Sequence, residues 1–182
     1  VALLGDSLEA IAEQKAGIIK QGVPLVTGNI VPEALAVINQ IAKVKEAPRL
    51  VYGEDYQVSH QGSVGTGEVF DYTSPLRQGR FQTGLLGLHQ IENAGMALAL
   101  LDSYCKETGQ KLPENDLLAQ ALEETSWPGR FEVVSRSPLM ILDGAHNPHA
   151  IKALVETLQE RFADYHKEIL FTCIKTKALE DM

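Results

Sequence analysis

"GVPLVTGNIVPEALAVINQIAKVKEAPRLVY", residues 22–52, is the stretch that decides the fold. Its first part is a short apolar run set off by Gly22 and Gly28, the punctuation of a buried strand. "VPEALAVINQIAKVKEA" then reads as a helix, with Pro32 in the first turn, where a missing N–H costs nothing. Arg49 to Tyr52 reads as a second short strand. Strand, helix, strand is the pattern of a parallel α/β sheet, so the fold class expected is α/β.

Upstream, "SLEAIAEQKAGIIK" (Ser7 to Lys20) predicts one helix. Asp6 or Ser7 can cap it, since either side-chain oxygen can accept from a free N–H of the first turn. Leu8, Ile11, Ala12, Ile18 and Ile19 follow the rhythm of a helix that buries one side. Lys15 falls on that same side, where an apolar residue would be expected. The simplest reading is a side chain that lays its stem on the apolar face and keeps its ammonium in water.

Downstream, residues 53–86 are rich in glycine, and short alternating runs such as "GEVFDYTS" and "GRFQTGLL" predict antiparallel strands. "HQIENAGMALALLDSYCKETG" predicts a helix stopped by Gly109. "PENDLLAQALEETSW" predicts another from Pro113. "PGRFEVVSRSPLMILDGAHNPHAIKALVETLQERF" predicts strand, turn, strand, loop and helix, and "KEILFTCI" a further strand. "TSWPGR" separates this mixed first part from a new strand–strand–helix–strand run, which places a domain boundary near Trp127 to Phe131.

The 182 residues are 45% hydrophobic, enough to bury a proper core, and the net charge of −8 argues against a general nucleic-acid binder. No apolar run is long enough to span a membrane and no signal-peptide pattern is present. Cys105 and Cys173 lack metal-like spacing, which suits reduced thiols in a cytoplasmic protein. The chain begins at Val1 and stops where a new helix starts, so a piece of a longer protein is expected.

Three places could carry chemistry. In "LMILDGAHNPHAIKAL" an apolar run, Leu139 to Leu142, is expected to be buried on both faces. It feeds Asp143, a glycine turn, and a helix beginning near Pro148. Ligands of open α/β sheets bind beyond the carboxyl ends of strands, where helix N-termini point. Asn147 as N-cap and Pro148 as first helical residue explain Asn-Pro, but not the neighbouring Asp143 and His146. A metal pair of His146 and His149 has permissible spacing but no evident third ligand. In "LLGLHQIENAGMALALL", Asn93 stands near a packed surface, and its bland role is a structural amide. Arg130 follows Pro128-Gly129 at the inferred boundary; its planar fork suits a phosphate or carboxylate, with a surface salt bridge as the bland role. "QGSVGTGEVF" lacks the Lys-Ser/Thr of a phosphate-binding loop and reads as a hairpin turn.

Taken in order, "LGDSLEAIAEQKAGIIKQGVPLVTG", "LLGLHQIENAGMALALL", "WPGRFEVV" and "ILDGAHNPHA" closely resemble the folylpolyglutamate synthase/dihydrofolate synthase family of the Mur ligase superfamily. The resemblance implies an ATP-dependent amide ligase. ATP would activate a folate or dihydropteroate carboxylate as an acyl phosphate, which the amine of L-glutamate attacks. It implies that Lys15 is carbamylated and supports a magnesium ion, a modification that needs the neutral amine an apolar face would favour. It implies nucleotide contacts by Asn93, by Arg130 on phosphate, by Asp143 on ribose, and by His146 and Asn147. Gln14 stands where many relatives have Glu, and Thr176 replaces an Asp of a "KDKD" stretch that "CIKTKALEDM" matches loosely.

On this resemblance, residues 1–128 are part of a central ATPase domain and residues 129–182 the start of a C-terminal Rossmann-like domain. The family's phosphate-binding loop would precede Val1, so the isolated chain is expected to be inactive, and its parent a cytoplasmic monomer with no nucleic-acid or membrane partner. A Mur-type ligase of peptidoglycan synthesis and a non-catalytic nucleotide-binding module are the alternatives.

Overall fold

The computed structural model describes residues 7–65 and 67–172. Its residues group into two compact units, each assembled from separate stretches of chain. One takes the segment ending at Val58, Tyr72–Gly79 and Glu92–Leu112. The other takes Ser59–Asp71, Arg80–Ile91 and the segment from Pro113 onward.

The first unit opens with α1, Leu8–Ala16, capped by Ser7, whose Oγ accepts from the Ala10 N–H at 3.2 Å. Asp6, the other capping candidate, lies outside the described residues. The helix ends at Gly17, short of the predicted Lys20. There the N–H groups bond three residues back, Ile18 to Lys15 and Ile19 to Ala16, a tightened turn that winds the helix down. The buried stripe is Ala12, Ala16 and Ile19. Ala16 and Ile19 join Ala42, Ala47, Leu25, Ile38 and Ile41 in one apolar cluster. Leu8, Lys15 and Ile18 are exposed, which corrects the expectation that they lie on the buried face. A narrow line of mostly small side chains makes the contact, and Lys15 stands just beside it.

Strand β1, Leu25–Thr27, and strand β2, Arg49–Val51, pair in parallel through α2, Pro32–Val44, with Leu25 opposite Arg49. The strand–helix–strand reading and the Pro32 start are borne out. Beyond β2, Tyr56 is buried and its hydroxyl donates to the Thr27 carbonyl at 2.8 Å. Burial pushes that hydroxyl's pKa far above the usual tyrosine range, and the neighbouring Tyr72, Tyr52 and Glu92 add to the shift.

Strands β3, Gln57–Val64, β4, Gly67–Thr73, and β5, Gln78–Thr83, form one sheet in that order. The links between them are too short for a parallel crossover, so the predicted antiparallel pairing holds. Helix α3, Leu88–Thr108, passes Gly95 close to the start of β3: a Cβ there would lie 2.4 Å from Val58 Cγ1. Gly109, at φ +68°, stops α3 as predicted, with the Gln110 N–H returning to the Cys105 carbonyl. The Cys105 thiol is free and buried. Asp102 of α3 forms a buried ion pair with Arg77. No helix among the described residues is long and apolar enough to cross a membrane.

In the second unit, α4 spans Asn115–Glu123 and begins after Pro113, because Glu114 is still extended. Its last turn docks on Gly84, whose N–H donates to the Leu122 carbonyl and where a Cβ would lie 2.3 Å from the Glu123 carbonyl. Strands β6, Glu132–Arg136, and β7, Leu139–Leu142, form an antiparallel ribbon, followed by α5, Pro148–Arg161. The expectation that β7 is buried on both faces is corrected. Leu139 and Ile141 line a cavity of about 240 Å³ with Ile151, Leu154 and Leu158 of α5, whereas Met140 and Leu142 are exposed. A two-stranded ribbon leaves one face open, and the side chains alternate accordingly. Residues 167–172, the described part of the predicted "KEILFTCI" strand, form no strand. A strand exists only through a hydrogen-bonded ladder, and no named strand among the described residues pairs with this run. Residues 173–182, with Thr176, lie outside the described residues.

Candidate functional site

Where β7 ends, the chain enters the loop from Asp143 to Asn147. Asn147 is the N-cap of α5: its Oδ1 accepts from the Ala150 N–H at 2.9 Å, and Pro148 takes the first helical position, as the sequence predicts. The Asp143 carboxylate is half-buried and holds two backbone donors. Oδ1 accepts from the Ala145 N–H at 2.7 Å, the local turn of an aspartate two residues upstream. Oδ2 accepts from the Phe131 N–H at 2.8 Å, reaching across to the start of β6.

That second bond ties the loop to the turn bearing Arg130. The Gly144 N–H also donates to the Gly129 carbonyl at 2.8 Å, and the Gly129 N–H donates to Glu132 Oε2 at 2.8 Å. Phe131 is buried with φ at +48°, a left-handed backbone that non-glycine residues adopt rarely, and its ring stacks on Phe162 at 5.6 Å. The Arg130 guanidinium lies against Gly144. His146 donates through Nδ1 to the Gly144 carbonyl at 2.7 Å, which leaves Nε2 as the ring's other nitrogen. Arg130 and His146 are exposed. A cavity of about 270 Å³ opens beside the turn, lined by Arg130, Arg136, Trp127, Phe131, Leu85 and Leu86. Two guanidinium groups and an exposed indole on one cavity suit an anionic, planar ligand.

The structure thus brings Arg130, Asp143, His146 and Asn147 into one hydrogen-bonded loop pair. Lys15 and Asn93 belong to the other unit. Lys15 is exposed on the last turn of α1, and Asn93 is exposed on α3 beside Glu92, which accepts from Asn29 Nδ2 at 3.0 Å. His146 and His149 gain no third partner: among the described residues no group of three or more His, Cys, Asp or Glu is placed to hold a metal ion.

Sequence reasoning missed a buried carboxylate hub. Glu68, at the start of β4, accepts from His60 Nε2 at 3.1 Å, from the Ser63 hydroxyl, and from the Gly87 N–H at 3.2 Å. Gly87 sits at φ +108° just before α3, with His89 and Thr157 of α5 packed so closely that no Cβ would fit. Arg161 of α5 donates to the Gly65 carbonyl at 2.7 Å. The signal available was a Glu at a strand position flanked by apolar residues, which needs partners when buried.

Residues 129–182 match the family described as Mur ligase, glutamate ligase domain. The chain is 34% identical over 181 residues to dihydrofolate synthase/folylpolyglutamate synthase of Bacillus subtilis, covering 99% of this chain and 42% of that protein. It is 38% identical over 165 residues to folylpolyglutamate synthase of Lacticaseibacillus casei, covering 88% of this chain and 38% of that protein. Over nearly its whole length the chain is similar to members of the folylpolyglutamate synthase/dihydrofolate synthase family. It spans about two fifths of the length of these family members. The apo form of the L. casei family member superposes with a TM-score of 0.83 at 34% identity, over 92% of this chain and 40% of that one. A family member solved as a complex with AMPPCP and folate gives a TM-score of 0.85 at 35% identity, over 90% of this chain and 40% of that one. These likenesses bear out the family resemblance and the α/β fold class read from the sequence.

Proposed function

We propose that the protein carrying this chain is an ATP-dependent ligase that adds L-glutamate to folate or dihydropteroate. One structural observation carries the reading: Arg130 is seated on the loop that runs from the end of β7 into the N-terminus of α5. A guanidinium beside a helix N-terminus is suited to nucleotide phosphates. Similarity to the named synthases supplies the reaction class. Arg130 faces phosphate, Asp143 has oxygen lone pairs beyond its two backbone bonds to offer ribose hydroxyls, and His146 and Asn147 complete the loop contacts. Asn93, in the other unit, is read separately as a nucleotide-contacting amide. Activation of the acceptor carboxylate as an acyl phosphate supplies the electrophile for the glutamate amine.

The residues described do not by themselves assemble a magnesium site, so no step is assigned to that ion. Lys15 would supply one ligand as its carbamate. Residues 1–128 are read as part of the central ATPase domain and residues 129–182 as the start of the C-terminal Rossmann-like domain. The family match that begins at residue 129 supports that division. The location is cytoplasmic and the protein monomeric.

The test is incorporation of labelled L-glutamate by the protein expressed from its complete reading frame, with ATP and with folate or dihydropteroate. Product formation that requires ATP and a folate-type acceptor is the expected result. ATP turnover with a peptidoglycan precursor instead, or none with any acceptor, overturns the proposal.

A further inference from the structure

We propose that Gly144, together with Asp143, is a positioning residue for Arg130. Gly144 is not held in a left-handed conformation, so its backbone does not demand glycine. What demands it is space. A Cβ built on Gly144 would lie 2.8 Å from Arg130 Nη1 and 3.3 Å from the Gly129 carbonyl oxygen. The guanidinium occupies the volume that any side chain would take. Because it is the tip of a flexible side chain, it is the group that yields when the volume is filled.

The backbone on both sides of Arg130 is fixed by the same two residues. Before it, the Gly129 carbonyl accepts from the Gly144 N–H at 2.8 Å. After it, the Phe131 N–H donates to Asp143 Oδ2 at 2.8 Å, and this bond helps hold Phe131 at φ +48°. A left-handed non-glycine residue is unfavourable unless its surroundings over-determine it, and here the Phe162 stack and the Asp143 bond both do so. Asp143 sets where the arginine's backbone sits, and the bare Gly144 sets where its head goes. The consequence for nucleotide affinity rests on the reading of Arg130 given above; the placement itself does not.

Two measurements separate these layers. The first uses the complete protein labelled with nitrogen-15, following the arginine Nε–H resonances, with Arg130 identified by the signal lost in Arg130→Lys. Gly144→Ala should move the Arg130 resonance and leave the other arginines in place, with the melting temperature nearly unchanged. Asp143→Asn, which offers one carbonyl oxygen in place of two carboxylate oxygens, should move the same resonance and serves if Gly144→Ala folds poorly. An Arg130 resonance unmoved by either variant overturns the proposal. The second is calorimetric titration of ATP into the complete protein. Gly144→Ala should weaken ATP binding about tenfold alone and by no further factor in an Arg130→Ala background, since contacts that share one group are not additive. Additive losses overturn the positioning role. If Arg130→Ala leaves ATP affinity intact while Gly144→Ala still moves the arginine resonance, the placement stands and the nucleotide assignment falls.

Discussion

Removing the carboxylate of Asp102 should be among the most damaging single changes in the first unit. Asp102 is 1% exposed and its partner Arg77 8%. Three short contacts join them: Nε to Oδ1 at 3.1 Å, Nε to Oδ2 at 3.2 Å, and Nη2 to Oδ1 at 2.7 Å. An exposed pair would contribute only about 0–1 kcal/mol, but neither group here can fall back on water. Asp102→Ala leaves a buried guanidinium without its counter-charge, which destabilises by roughly 3–5 kcal/mol. That is a large share of the ~5–15 kcal/mol that typically holds a domain folded. With a urea slope near 2 kcal/mol per M, within the usual range of about 1–3, a loss of ~4 kcal/mol lowers the midpoint by about 2 M. The control is Arg77→Met with Asp102→Leu, which removes both charges and keeps most of the volume. It should recover most of the loss, because an apolar pair often replaces a buried ion pair at no cost. Urea titrations followed by circular dichroism compare wild type, single and double variants. A loss below ~1 kcal/mol for Asp102→Ala, or a double variant as unstable as the single, would refute the reasoning.

Tyr56→Phe should flatten the alkaline limb of the stability curve. Burial raises the folded-state pKa of Tyr56, so the stability tied to its neutral phenol is full below the ordinary value of about 10 and drains away as pH rises beyond it. Melts between pH 9 and roughly 11 check this, and an unchanged alkaline limb in the variant would count against it. Gly87→Ala should lower stability by at least about 2 kcal/mol, since it combines a left-handed backbone with direct overlap. For a chain of this size that is a drop of roughly 4–8 °C in the melt, and an unshifted melt would mean the Gly87 turn is not as tight as described. Lys15→Ala should leave stability within about 0.5 kcal/mol, as expected of an exposed site, while sharply reducing glutamate addition by the complete protein. Normal turnover would remove Lys15 from the chemistry.

Local patterns were readable where short-range chemistry decides. Asn147-Pro148 specifies the start of α5 through a cap and a fixed φ, and both are present. Gly109 ends α3 for the same kind of reason. What could not be read depends on partners far along the chain. Asp102 finds Arg77 across 25 positions, and Glu68 finds Gly87 across 19; no spacing rule links them. The side of α1 that is buried was misjudged because helical periodicity is satisfied by either of two adjacent stripes. Small alanines, weak hydrophobic signals in themselves, won the contact over Leu8 and Ile18 by allowing close approach to α2. At the candidate site the residue types were legible, but their mutual bonds were not. The bond from Ala145, two residues on, is the local one an aspartate turn specifies, whereas the bond from Phe131, 12 positions upstream, emerges only with the fold.

The interleaved build of the two units has a consequence for synthesis. The chain passes from one unit to the other after Val58, Asp71, Gly79, Ile91 and Leu112. A ribosome delivers residues in order, so the first unit lacks part of its substance until Leu112 has left the exit tunnel. By then the early stretches of the second unit, including the Glu68 hairpin, have been waiting for α4 and α5. The nascent chain therefore carries incomplete stretches of both units at once, and pausing translation just beyond Leu112 would let the first finish before the second is complete.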